Sequence, residues 1–446
     1  MNRLEIIHDP ANALAAIVDR HLPDGAFKRI VIKPNWVKHQ EDERFPIAAL
    51  VTSSALIDAT VAGCLRKYPA AESIIVGDVP LQSCDWELLV RQAGIDRLIE
   101  KYRGQTSPRV QFLDLRRERW RPQDGYLELS DKAPGDPAGY VEVILDRQSL
   151  LDPVSGQAHL FRVSDYDPAE TVSVHSGQQH RYLIARSVLE SDLFINLPKM
   201  KTHQKAGLTG ALKNLVGING AKAYLVHHRK GLPSQGGDEF PESVDRLFYY
   251  QARFREFFQK RSRFLFRFFR LIWRAIKRLR GIQTVGTPDR LQGKFYLGSG
   301  SWHGNDSIWR MVYDLNRIIL FASAAGGALQ KAPQRRYVAI LDGLIAAEGN
   351  GPLQPIPVAA NVVAASDNPF LIDLAMAKLM GFDYRKIRQL AQLKLFPDAT
   401  WGGIDPEDFE VTIDGVASHG GLRDISPIKR FLAPPGWAGQ IELEGP

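Results

Sequence analysis

Short β-branched runs, each closed by a polar turn and followed by a helical period, recur along the chain. Ile30-Val31-Ile32 ends in Lys33-Pro34-Asn35, Ile74-Ile75-Val76 in Gly77-Asp78, and Leu193-Phe194-Ile195 in Asn196-Leu197-Pro198-Lys199. Val338-Ala339-Ile340-Leu341 ends in Asp342-Gly343, and Val362-Val363-Ala364-Ala365 in Ser366-Asp367. Apolar runs this continuous suit strands buried on both faces, and their alternation with helices such as Ser53 to Lys67 predicts an α/β fold with a mainly parallel sheet. Two stretches break the pattern. Residues 115–180 are rich in Arg, Asp, Gly and Pro and predict a strand-and-loop elaboration within a first part, 1–220. Residues 221–300 predict an insertion with a basic amphipathic helix at 251–280, after which 301–446 resumes the α/β domain.

In open α/β sheets, ligands bind beyond the carboxyl ends of the strands, so the residues closing each run carry the candidate chemistry. They are Lys33, Asn35, Asp78, Lys199, Lys201, His203, Asp342 and Asp367. Any one of them alone could be a turn or cap residue; the argument rests on their recurrence at one end of successive strands. The densest stretch runs from Asn196 to His203 and on through Thr209, Lys213 and Asn214. Its lysines could neutralise a phosphate or carboxylate, and glycines near Thr209 could present backbone donors. Crowded, buried lysines also lose proton affinity, which leaves a base or nucleophile open as a role. The order GxxxxGK[ST] is absent, so this is no Walker loop.

Two further constellations are Trp302-His303-Gly304-Asn305-Asp306 and Glu348-Gly349-Asn350-Gly351-Pro352. Asp78, Asp342 and Glu348 with His203 and His303 could serve as general acid and base, or hold a divalent cation. Asn305 and Asn350 join the candidate ligand-binding groups. The second constellation reads equally well as a tight turn.

Charge sharpens the picture once it is located. The whole chain carries +7, but residues 251–280 hold eleven Lys/Arg against Glu256 alone, a net +10, which leaves −3 elsewhere. That argues for one local anionic partner and against a nucleic-acid face spread over the fold. At about 100° per residue, Phe254, Phe257, Phe258, Phe268, Phe269 and Ile272 share one side, Arg267, Arg270 and Arg274 the other, and Trp273 flanks them. Such a helix suits contact with an anionic membrane surface; docking on the protein's own core, a dimer seam and nucleic acid are its rivals. No apolar run of about 18 residues predicts a bilayer span, and the amino-terminal stretch lacks a signal-peptide pattern. The expected location is the cytoplasm, peripheral to the inner face of the membrane.

The quoted strand ends, the Asn196–His203 stretch, Leu212-Lys213-Asn214-Leu215-Val216-Gly217, Leu341-Asp342-Gly343 and Glu348 to Pro352 occur in an order similar to that of the domain of unknown function 362 family. Asp367 to Gly381 fits that family's last helix, and the resemblance spans roughly 28–220 and 300–415. It implies a bacterial or archaeal α/β protein without fixing a reaction. Some relatives carry ferredoxin-like cysteine clusters; this chain has only Cys64 and Cys84, which cannot supply four thiolates, so an iron–sulfur role is disfavoured. The expectation is an enzyme acting on an anionic, perhaps lipid-linked, small molecule; its rivals are a binding or assembly protein and a redox protein.

Overall fold

A computed structural model describes residues 3–10, 13–123, 126–164, 166–261, 263–279, 298–396 and 399–444, with the backbone alone over 121–123, 126–130 and 399–400 and at several positions from 255 to 277. Its centre is a twelve-stranded sheet. Nine strands run in the order Val416–Ser418, Glu410–Ile413, Arg3–His8, Val362–Ser366, Arg336–Asn350, Leu193–Leu197, Arg29–Pro34, Ser73–Asp78 and Arg109–Asp114. The last five of these pair in parallel. The fold is therefore the mixed α/β type that the pattern predicts, with a mostly parallel sheet.

The apolar runs are continuous because both faces of the sheet are covered. Ile30, Ile32, Ile74, Val76, Leu193 and Ile195 face one core, shared with Ile17 and Val18 of helix Leu14–His21 and with Leu56, Ile57 and Val61 of helix Ser54–Lys67. Val31, Phe194, Ala339 and Leu341 face the other, against helices Ile308–Phe321 and Pro369–Leu379. Each buried aliphatic side chain of this kind contributes about 1.5–3 kcal/mol. Helix Ser54–Lys67 begins where Ser53 accepts a hydrogen bond from Leu56 N at 3.3 Å, an N-cap that fixes how the chain leaves the crevice. Within the 115–180 stretch Glu118–Gln123 pairs antiparallel with Tyr126–Lys132, and Tyr140–Ile144 pairs antiparallel with Arg181–Ala185 just beyond it.

Three expectations need correction. The Arg336 strand does not end at Leu341: it continues to Asn350 and turns back into Gln354–Val358, with a register shift where Lys199 pairs Asp342 and Lys201 pairs Ala347. Strand Val362–Ser366 is antiparallel to both neighbours, so Asp367 lies at the opposite end of the sheet from Lys33 and Asp78, in a groove with Arg3, Arg20 and Arg336. The basic segment is two helices, Arg246–Arg261 and Arg263–Leu279, packed on each other. Across them the Phe248 and Trp273 rings meet edge to face at 6.1 Å. No helix among the described residues is long and apolar enough to cross a membrane. Cys64 and Cys84 are both buried and free, and burial raises both thiol pKa values, that of Cys84 to about 12.

Candidate functional site

The carboxyl ends of the parallel strands open into a cavity of about 640 Å³. Among the described residues six lysines line it (Lys33, Lys38, Lys201, Lys205, Lys213 and Lys222), but only one carboxylate, Asp78. Asn35, His203, Thr209, Asn214 and His227 complete its polar wall.

Lys33 and Asp78 close two adjacent parallel strands, and their side chains meet at 2.8 Å while almost wholly buried. Asp78 also accepts from Trp36 N at 2.6 Å and Val79 N at 2.8 Å, so its carboxylate is held from three directions. Burial lowers the Lys33 pKa, and the Asp78 charge opposes that shift. Gly217 passes so close that a Cβ there would stand 1.9 Å from Asp78 Oδ1 and 2.6 Å from Lys33 Nζ. Only glycine fits that approach.

Lys201 lies on strand Lys199–His203 and donates to Asn35 Oδ1 and the Leu50 carbonyl, each at 2.6 Å. Asn35 in turn donates to Asn214 Oδ1 at 2.8 Å, and Asn214 donates to Asn196 Oδ1 at 2.6 Å. This chain of amides locks the wall behind the lysines. Burial, reinforced by the Lys213 and Lys199 charges, draws the Lys201 pKa well below that of a free lysine.

Lys213 sits on the short helix Gly210–Asn214. The buried Asp373 carboxyl group accepts from the Ala211 and Leu212 amides at the start of that helix. Burial still holds Asp373 up to about 8. The Lys213 ammonium has no hydrogen-bond or ion-pair partner among the described residues, and burial with the nearby Lys205 and Lys33 charges brings its pKa down to about 7. Lys222 donates to the Val216 carbonyl at 3.0 Å, and its pKa too falls to about 7, chiefly through burial. Lys205 reaches Ser164 Oγ and the Ser299 carbonyl, both at 2.6 Å.

The two histidines are set in complementary states. His203 Nδ1 accepts from the Lys205 and Ala206 amides at 3.1 and 3.3 Å, which puts the ring proton on Nε2. His227 Nδ1 lies 2.7 Å from the Leu225 carbonyl and must donate to it, so its Nε2 is the acceptor. Burial keeps both well below the usual histidine range. Thr209 Oγ1 is buried without a hydrogen-bond partner among the described residues.

Of the residues singled out by sequence, Lys33, Asn35, Asp78, Lys201, His203, Thr209, Lys213 and Asn214 therefore share one cavity wall. Lys199 and Asp342 do not line it. They pair at 2.9 Å, and Asp342 also accepts from Ser53 N at 2.6 Å, which ties the sheet to its first long helix. Glu348 is taken by Lys429 at 3.0 Å and by Leu432 N, while Asn350 donates to Gln354. Asn305 accepts from Ser307 N and Ile308 N, where it organises the entry to helix Ile308–Phe321, and His303 stands against the Gly436 carbonyl at 3.3 Å. None of these four lines the cavity. The carboxylates and histidines proposed as metal ligands are thus dispersed, and among the described residues no group of three or more His, Cys, Asp or Glu could hold a metal ion.

Sequence reasoning passed over Lys38, Lys205, Lys222 and His227. Lys205 follows His203 by two positions and lay within reach of the same motif; Lys222 and His227 come from an irregular stretch with no period to mark them. Among the helix-pair candidates, Phe254, Phe257, Phe268, Ile272 and Arg274 are exposed and Trp273 is half-buried. The side chains of Phe258, Arg267, Phe269 and Arg270 lie outside the described ones.

The family described as Domain of unknown function (DUF362) matches residues 147–378, just over half of the sequence and narrower than the span its motifs suggest. Lys201, His203 and Lys213 fall inside the match, and Lys33, Asn35 and Asp78 outside it. No curated protein matches. A solved chain from Thermotoga maritima, a structural-genomics crystal structure, aligns at 10% identity with a TM-score of 0.34, covering 81% of this chain and 57% of its own length.

Proposed function

The chain belongs to the DUF362 family, and on that premise we propose that its cavity binds and acts on a small molecule bearing a phosphate or carboxylate. The observation that carries this reading is charge imbalance: among the described residues six lysines and one carboxylate line the cavity, and Lys201, Lys213 and Lys222 have no carboxylate partner. A desolvated ammonium gains far more from an arriving anion than a solvated one does. In this reading Lys201 and Lys213 bind the charge, Asp78 fixes Lys33, and Lys213 and His203 are the groups placed to exchange a proton with the ligand. An anion would raise the lysine pKa values, so binding should draw protons from solution.

Calorimetric titration with inorganic phosphate, pyrophosphate and succinate, run in two buffers of different ionisation enthalpy near neutral pH, tests this. At least one anion should bind with proton uptake. Lys213→Met should weaken it by about 10–100-fold, the worth of one charge-assisted hydrogen bond. Equal affinity in the wild type and in both Lys213→Met and Lys201→Met would remove the cavity from consideration.

A further inference from the structure

The helix pair at 246–279 offers a second surface, independent of the cavity's ligand. Of the eleven large apolar side chains exposed among the described residues, seven fall between Tyr250 and Leu279. A soluble surface seldom gathers them so densely without a partner. On helix Arg263–Leu279 the spacing is decisive. Phe268, Leu271, Ile272 and Leu279 lie within an arc of about 100° at 100° per residue, and are 57, 61, 45 and 88% exposed. Arg274 and Arg278 stand exposed at one border of that arc. Trp273, on the far side, turns inward to Phe248. Trp273 therefore meets the other helix through Phe248 while a different apolar stripe is left outward.

We infer that this stripe docks on an anionic lipid surface, with its apolar side chains at the acyl boundary and the flanking cations among the headgroups. Charge selects this occupant. Residues 251–280 carry a net +10, so a second copy brought to the same stripe would meet strong like-charge repulsion. A nucleic acid would satisfy the cations but leave Phe268, Leu271 and Ile272 in water. Only a surface that is both anionic and apolar beneath answers both features. The helix is about 25 Å long at 1.5 Å per residue and carries cations throughout, so it lies in the plane of the surface. The arm is anchored to the cavity's rim. Arg253 pairs with Glu239, whose carbonyl accepts from Gly300 N at 3.0 Å, and the adjoining Ser299 carbonyl holds Lys205. Docking would bring the cavity mouth close to the membrane.

The test is co-sedimentation of the full chain with vesicles of pure phosphatidylcholine and of phosphatidylcholine mixed with phosphatidylglycerol. Binding is expected to the mixed vesicles alone and to weaken with added salt. The double variants Phe268→Ser/Ile272→Ser and Arg274→Glu/Arg278→Glu should each lose about tenfold or more, with thermal midpoints like the wild type. Absence of binding, equal binding to both vesicles, or unchanged binding by both variants overturns the inference. So does a vesicle-free dimer that Phe268→Ser/Ile272→Ser disperses, because a second copy then covers the stripe. Soluble-anion titration involves no lipid, so failure here leaves the cavity reading standing.

Discussion

Lys201 and Lys213 sit beneath the surface in the cavity beyond the parallel strands, whereas Arg274 and Arg278 stand exposed on an inserted helix. Both regions concentrate positive charge, yet they hold it in opposite ways. In the crevice Lys201 is held by oxygens of Asn35 and Leu50 and Lys222 by that of Val216, Lys213 has no partner among the described residues, and burial lowers the hold of all three on protons. The helix arginines are long and exposed, with no partner among the described residues. A buried cation responds to one ligand of defined shape; an exposed array responds to any diffuse negative surface, and salt screens it.

The comparison can be broken most forcefully at the Lys33–Asp78 pair. Asp78→Ala leaves the Lys33 ammonium buried without its counter-charge and should cost about 3–5 kcal/mol in urea unfolding. A loss below about 1 kcal/mol would show that the cavity floor is wet rather than dry. Next in size is pH dependence. Lys213 is drawn down to about 7 in the fold, against about 10.4 in an unfolded chain. Between those values the unfolded chain binds more protons, so stability rises with pH, by up to about 1.4 kcal/mol per pH unit for one lysine. Below about pH 7 both states are protonated and the rise stops. Lys213→Met should flatten its share of the rise between about pH 7 and pH 10 in unfolding measured at each pH; an unaltered slope would place the group in solvent. The smallest effect belongs to the insertion. Arg274→Gln should change stability by no more than about 0.5 kcal/mol, because that side chain is exposed. A larger loss would mean the helix pair leans on the body through its cations.

How much of this the sequence discloses depends on what hydrophobic patterning can encode. Doubly covered strands announce themselves as unbroken apolar runs, so Ile30–Ile32, Ile74–Val76 and Leu193–Ile195 and the polar residues closing them were legible, and eight of those singled out share the cavity. Strand direction leaves no such trace. Val362–Ser366 reads like its neighbours and runs against them, which carries Asp367 to the far end. Glu348 and Asn350 read as a turn or a site because a register shift extends the strand beyond Asp342, and a bulge has no period. The amphipathic period passes unbroken through 262, so it could not reveal that one helix is two.

The neutral oxygens around Lys201 have one more consequence. Asn35 Oδ1 and the Leu50 carbonyl replace the water that a free ammonium would carry, and they do so permanently. An aspartate at position 35 could fill the same space and grip the lysine as firmly, but it would install an anion of its own in competition with any that arrives. With an amide there, the reorganisation that a hydrated ammonium undergoes at each encounter was completed when the chain folded. If the cavity binds an anion as proposed, Lys201 would meet it with that reorganisation already done.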